Sequence, residues 1–279
     1  MGVGVDREAA LTPQQFQDFD ERGYILLGRV VRGPQLEALQ RRIDDLMLGR
    51  IRYEGMFFQQ DTTTGKYEDV DTSQTTFSGP SLNYRKVKDL EYDKRFLTFL
   101  QNDIFRAMAR RYVGPQVACM RAMVMNKPAR SGTVLPYHQD VSERWEMSIP
   151  PVLTIWTALD RATKANGCLE IVPRSHLHGR IGVGHMITAE EEARFAPPSR
   201  SIFVELEPGE SVAFHNALLH RSGRNATDQP RRAFTVCLMD GATRHVRTGK
   251  PYPIIFGPDA LTPDSVRGLT RIPSHVYES

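Results

Sequence analysis

Cysteine is scarce in this chain. There are three among 279 residues, Cys119, Cys168 and Cys237. The number is odd, CxxC spacing is absent, and each lies in an apolar stretch. That excludes a disulfide framework and a cysteine-based structural zinc site, and predicts three buried free thiols in a reducing compartment. Long apolar runs are also missing: nothing approaches the roughly 18 residues of a membrane span. Met1–Ala10 carries no apolar signal core, and Asp6 stands where a myristoylation signal after Gly2 needs Ser or Thr. Charge of one sign is lacking too. Lys and Arg number 36 against 33 Asp and Glu, for a net charge of +3. The basic residues cluster only as doublets such as Arg41-Arg42, Arg110-Arg111 and Arg231-Arg232. A nucleic-acid face needs a denser basic patch. These absences predict a soluble, cytoplasmic protein that has neither nucleic acid nor membrane as partner.

What is present begins with helices. Thr12-Pro13-Gln14-Gln15 combines an N-cap Thr, Pro at the first helical position and a Gln that completes a capping box, and Gly23 stops the helix. Tyr24–Val31 is β-prone. A second helix opens at Gly33-Pro34, with Leu36, Leu39, Ile43 and Leu46 on one face. Residues 53–92 are polar, with aromatics interspersed, and read as a long excursion. The spacing predicts a third helix over about 93–113, ended by Gly114-Pro115. From Gln116 onward short β-prone runs alternate with turn signals at Asn166-Gly167, Pro208-Gly209 and Ser222-Gly223, the pattern of a sandwich or barrel. The expected organisation is one domain over 1–279: a helical part at about 12–113, a β core at about 116–245 and a C-terminal tail at 246–279.

The chemistry concentrates in Tyr137-His138-Gln139-Asp140. On a strand, His138 and Asp140 share a face. His220 ends an apolar segment just before a turn, and His215 is its competitor, on the opposite face if the strand is straight. Two histidines and a carboxylate with open positions beyond them suit a mononuclear non-heme Fe(II) site. Arg231 follows, sharing a strand face with Ala233 and Thr235, whereas Arg232 reads as a surface arginine. A buried guanidinium fork suits the distal carboxylate of 2-oxoglutarate. Among the remaining histidines, His176 is expected to support a turn, and His178, His185, His245 and His275 have weak claims. Residues 53–88 and 141–150 are expected to cover the metal.

These residues carry a resemblance. His138-Gln139-Asp140, Asn166-Gly167-Cys168-Leu169, Pro173-Arg174-Ser175-His176, Pro208-Gly209-Glu210, His220-Arg221-Ser222-Gly223-Arg224-Asn225 and Arg231, in that order, resemble the phytanoyl-CoA dioxygenase family. The resemblance implies a mainly β fold with flanking helices around a double-stranded β-helix, the cupin-like jelly roll. It implies Fe(II), 2-oxoglutarate and O2, with His138, Asp140 and His220 as metal ligands. Arg231 matches the arginine that binds 2-oxoglutarate, Ser222 the hydroxyl beside it, and Trp156 an aromatic position next to the cosubstrate. The family usually has Gly where this chain has Arg174. Halogenating relatives replace the carboxylate ligand by a small residue, so Asp140 points to oxygenation. The expected reaction is hydroxylation of a small organic molecule, by family analogy a secondary-metabolite intermediate, with release of succinate and CO2. The alternatives are a cupin-like metal-binding isomerase and an inactive jelly roll that binds a small molecule.

Overall fold

The computed structural model describes residues 11–273; the leader reading of Met1–Ala10 and His275 lie outside them. Helix α1 (Pro13–Arg22) starts as its sequence dictates: Thr12 and Gln15 close a capping box, and Gly23 ends the helix at φ 81°. It leads into β1 (Tyr24–Arg29) and α2 (Gly33–Met47). The 53–92 region holds β2 (Phe58–Gln60) and β3 (Tyr84–Lys88), so its second part is a sheet strand and not an excursion. The single helix expected at 93–113 is two, α3 (Lys94–Leu100) and α4 (Asp103–Tyr112). The break lies at Asn102, whose side chain accepts a hydrogen bond from the Phe105 amide and caps a new helix. Side-chain periodicity carries across such a break, which is why the apolar spacing alone did not reveal it.

The β core comprises β4 (Val117–Lys127), β5 (Leu135–His138), β6 (Leu153–Ala158), β7 (Leu169–Ile171), β8 (Ile202–Val204), β9 (Glu210–His215), β10 (His220–Ser222), β11 (Arg231–Asp240) and β12 (Ile254–Phe256), with a short helix α5 (Ala189–Phe195) before β8. An eight-stranded sheet runs β1-β9-β6-β11-β4-β3-β2, with β12 added on β4, and a four-stranded sheet runs β5-β10-β7-β8. All pairings within the two sheets are antiparallel. Two such facing sheets make the jelly roll. The 246–279 tail thus contributes a strand.

The outer face of the large sheet is apolar and carries the helices. Val124, Ile155, Phe234, Val236 and Leu238 pack there against Leu39, Ile43, Phe96, Leu97 and Phe105, and Phe96 and Phe99 lie 5.3 and 5.7 Å from Phe234 between ring centroids. Each such buried side chain contributes roughly 1.5–3 kcal/mol. Along β4 and β11 the alternate residues turn inward, toward the small sheet, and line a cleft.

Candidate active site

Strand register brings the two histidines together. In the small sheet β10 pairs with β5 so that His220 stands directly opposite His138, a cross-strand relation that sets side chains next to each other. Their rings are 4.1 Å apart between centroids. Asp140 follows β5 by two residues. Its backbone amide donates to the Asn216 carbonyl at 2.7 Å, and the Asn216 side-chain amide donates back to the Asp140 carbonyl at 3.0 Å. The fully buried Asn216 therefore holds the Asp140 backbone in place. One ligand atom from each of His138, Asp140 and His220 lies within 4.8 Å of the others, and all three residues are buried.

The donor set fits a first-row divalent metal. His138 Nδ1 lies 2.9 Å from the Pro136 carbonyl and His220 Nδ1 3.0 Å from the Leu218 carbonyl. Anchoring Nδ1–H on a carbonyl leaves Nε2 of each ring as the free donor. Burial, reinforced by His220 and His185 nearby, keeps His138 well below the ordinary imidazole range, so it is neutral, as a ligand must be. Burial works against ionisation of Asp140, but the Arg121 guanidinium outweighs it and holds the carboxyl well below the usual carboxylate range. Arg121 is paired directly with Asp140 Oδ1, and Thr154 Oγ1 donates to Oδ2 at 3.3 Å.

The cleft in front of this cluster has a volume of about 730 Å³, counting the space open to solvent at its mouth, and is lined by Trp156, Ser222 and Arg231 as well as by the three candidate ligands. Arg231 enters from β11. It is buried, and among the described residues no carboxylate lies within ion-pair distance of it. Its Nε has no hydrogen-bond partner, and its guanidinium carbon lies 5.4 Å from the Trp156 ring centroid. Burial lowers its pKa to about 10, so it stays charged at neutral pH. A buried cation without a counter-ion costs several kcal/mol, and a ligand carboxylate would relieve that. Gly167 permits the wall beside it: at φ 79° a Cβ here would come within 2.5 Å of the Gly223 carbonyl oxygen.

The competitor His215 is not at the site. It ends β9 in the large sheet, whereas His220 begins β10 in the small one, so the straight-strand argument did not apply to the pair. His215 packs on His176 and accepts from the Ala217 amide. Arg232 is also not a surface residue. Its Nε and Nη2 donate to the two Asp160 oxygens at 2.8 Å each, and Nη1 pairs with Asp44. His176 supports its turn through the Asp20 carbonyl. Gln139 points away from the cluster and bonds Gly179, Ala217 and Ile181. Arg174 adopts φ 70°, the left-handed conformation that explains the family's usual Gly. Cys119, Cys168 and Cys237 are buried and free.

Sequence reading missed a second group of cleft residues: Lys86 and Lys88 on β3, Arg121 on β4, and His185. The ring of His185 lies 4.9 Å from that of His138 and 5.3 Å from Trp145. Of the two segments expected to cover the metal, 53–88 supplies Tyr67 and a strand of the wall, and 141–150 supplies Trp145, on which Arg121 rests. The available signal was a single arginine in the otherwise apolar run Met120–Val124.

The family model for phytanoyl-CoA dioxygenase (PhyH) matches residues 19–233. Peroxisomal phytanoyl-CoA dioxygenase of Homo sapiens is 23% identical over 81% of this chain and 67% of its own length. Phytanoyl-CoA dioxygenase 1 of Oryza sativa subsp. japonica is 27% identical over 83% and 90%. Among solved structures, EctD from S. alaskensis with 2-oxoglutarate and 5-hydroxyectoine covers 97% of this chain and 91% of its own, at 19% identity and a TM-score of 0.67. With more than half its length matched, this chain belongs to the phytanoyl-CoA dioxygenase family and is an Fe(II)- and 2-oxoglutarate-dependent oxygenase.

Proposed function

We propose that this chain acts as one catalytic domain that hydroxylates a small organic molecule, converting 2-oxoglutarate and O2 to succinate and CO2 as it does so. The observation that carries this reading is the coexistence, in one cleft, of a two-histidine, one-carboxylate cluster and an arginine buried without a counter-ion. His138, Asp140 and His220 would hold Fe(II), which supplies activation of O2 and removal of a hydrogen atom from the substrate. The chain's own residues do the rest. Arg231 pairs through its fork with the distal carboxylate of 2-oxoglutarate, the buried Ser222 hydroxyl adds a hydrogen bond there, and Trp156 covers the guanidinium. Arg121 keeps Asp140 ionised, and Asn216 and Thr154 fix its position. Asp140 fills the position a halide would need, which supports oxygenation over halogenation.

The cupin-like isomerase and the inactive jelly roll have no use for a second, carboxylate-seeking cation deep in the cleft, and Arg231 weighs against both. No helix among the described residues is long and apolar enough to cross a membrane, and three buried thiols support a reducing, cytoplasmic setting. Incubation with Fe(II), 2-oxoglutarate and ¹⁸O₂ is expected to release succinate carrying one ¹⁸O atom, and none when Zn(II) replaces Fe(II). Absent or unlabelled succinate from folded, iron-loaded protein across a substrate screen would contradict the reading.

A further inference from the structure

The cleft has two ends, and strand register separates them. Along β4, Lys127 pairs with Arg231 and Met123 with Thr235 on β11, while on the other side Lys86 pairs with Met125 and Lys88 with Met123. Lys88 is therefore level with Thr235, four residues from Arg231, which at strand rise is about 13 Å. That offset sets the two cations at opposite ends of the cleft along the strands.

Lys88 is half-buried and lines the cleft. Its Nζ lies 4.0 Å from the Phe57 ring centroid, and among the described residues it makes no ion pair or hydrogen bond through that atom. The acids nearby face other groups. Asp89 accepts from the Phe57 amide, Glu91 from the Ala122 amide, and Asp140 is paired with Arg121. The cleft is lined by Lys86, Lys88, Arg121 and Arg231 against the single carboxylate of Asp140; burial and the neighbouring cations hold the Lys86 ammonium well below its ordinary range, so the standing excess is that of Lys88, Arg121 and Arg231 over Asp140. Fe(II) and 2-oxoglutarate carry equal and opposite charge, so loading the cofactors leaves that excess in place. Arg121 is committed to Asp140 and Arg231 to the cosubstrate end.

We infer that Lys88 is the anchor of a substrate anion subsite, so that the molecule oxidised is a small organic acid, a carboxylate or phosphate ester, whose reacting C–H lies between its anionic group and the metal. This rests on the oxygenase reading above and adds the substrate class. Met123, in register with Lys88, offers apolar wall for the body of the acid, and Trp145 packs on the cleft residues Arg121 and His185.

The chain has two tryptophans, Trp156 in the cleft and Trp145 at this end, so their fluorescence reports binding without turnover. Anaerobic protein loaded with Fe(II) and 2-oxoglutarate would be titrated with phenylacetate, hexanoate and phenyl phosphate, and with the neutral phenylacetamide and hexanamide. The expected result is binding of an acid about tenfold or more tighter than its amide. Lys88→Met should erase the preference and Lys88→Arg keep it, with 2-oxoglutarate affinity unchanged in both. The carboxylate and phosphate arms separate the two sources of the anion. Amides binding as well as acids, no acid binding saturably, or a preference that survives in Lys88→Met would each overturn the proposal. So would loss of 2-oxoglutarate affinity in that variant, which would assign Lys88 to the cosubstrate. Acid binding through Lys88 in a protein that ignores 2-oxoglutarate would instead sink the oxygenase reading and leave the anion subsite standing.

Discussion

The two faces of the large sheet treat charge in opposite ways. Arg231 and Arg232 are chain neighbours on β11 and both are largely removed from water. On the outer face, under α2, Arg232 is saturated by Asp160 and Asp44. Burial lowers its pKa, but these two carboxylates outweigh it and raise the guanidinium above its ordinary value. On the inner face Arg231 has no carboxylate within ion-pair distance among the described residues, and burial lowers its value. The same residue type is structural where the protein supplies the counter-ion and receptive where it does not. A buried cation left without a partner is costly to the fold, so its presence marks where a ligand completes the electrostatics.

The largest expected effect separates these neighbours. Arg231→Met should weaken 2-oxoglutarate binding by about 100-fold or more, measured by anaerobic calorimetry, while the thermal midpoint of ligand-free protein holds or rises, because an unpaired buried charge is removed. Arg232→Met should do the reverse: a loss of about 3 kcal/mol in denaturant unfolding from two stranded carboxylates, with 2-oxoglutarate affinity nearly unchanged. Equal effects of the two variants on 2-oxoglutarate would erase the distinction between the faces. Next in size, Asn216→Ala should cost about 10–100-fold in Fe(II) affinity, read by competition with a chelator, since it removes the side-chain bond to the Asp140 carbonyl and leaves only the backbone one. Retained affinity would mean that Arg121 and Thr154 suffice to place Asp140.

The inner face also has a pH dependence. Burial and Arg121 lower the Lys88 pKa to about 8, against the opposing pull of Asp89 and Glu91. Lys88 is charged below that value, so the preference for an acid over its amide should be full near pH 6.5 and fade as pH rises through about 8. A preference flat across this range would exclude Lys88 as its source. The smallest effect is expected outside the cleft: Arg174→Gly, at φ 70°, should stabilise the protein by about 1 kcal/mol in denaturant unfolding without changing 2-oxoglutarate affinity. Destabilisation there would show that the arginine side chain contributes more than its backbone costs.

Much of this arrangement is legible in the chain itself, because it depends on local signals. Thr12, Pro13, Gln15 and Gly23 specify α1, and the parity of β11 assigns Arg231 inward with Thr235. The candidate metal cluster is legible because His138 and Asp140 are near in sequence and His220 precedes a turn signal. What escaped depends on pairing between distant segments. The register of β3 against β4, which turns Lys86 and Lys88 into the cleft, has no local signature, and a polar stretch with scattered aromatics looks the same in a loop as in a strand with one face on a polar cavity. Asp160 and Asp44 lie 72 and 188 residues from Arg232, so its burial was equally hidden. His215 misled because the chain changes sheets between it and His220.

Visible spectroscopy separates an oxygenase site from a plain metal site in this cleft. Metal-free protein is mixed anaerobically with Fe(II) and then with 2-oxoglutarate, and the visible charge-transfer absorption of an iron-chelated 2-oxo acid is followed as 2-oxoglutarate is added. A saturable band is expected in wild type, and Arg231→Met should lose it at the same cosubstrate concentration while still binding Fe(II). A well-folded wild-type protein that binds Fe(II) and shows no band would contradict this expectation.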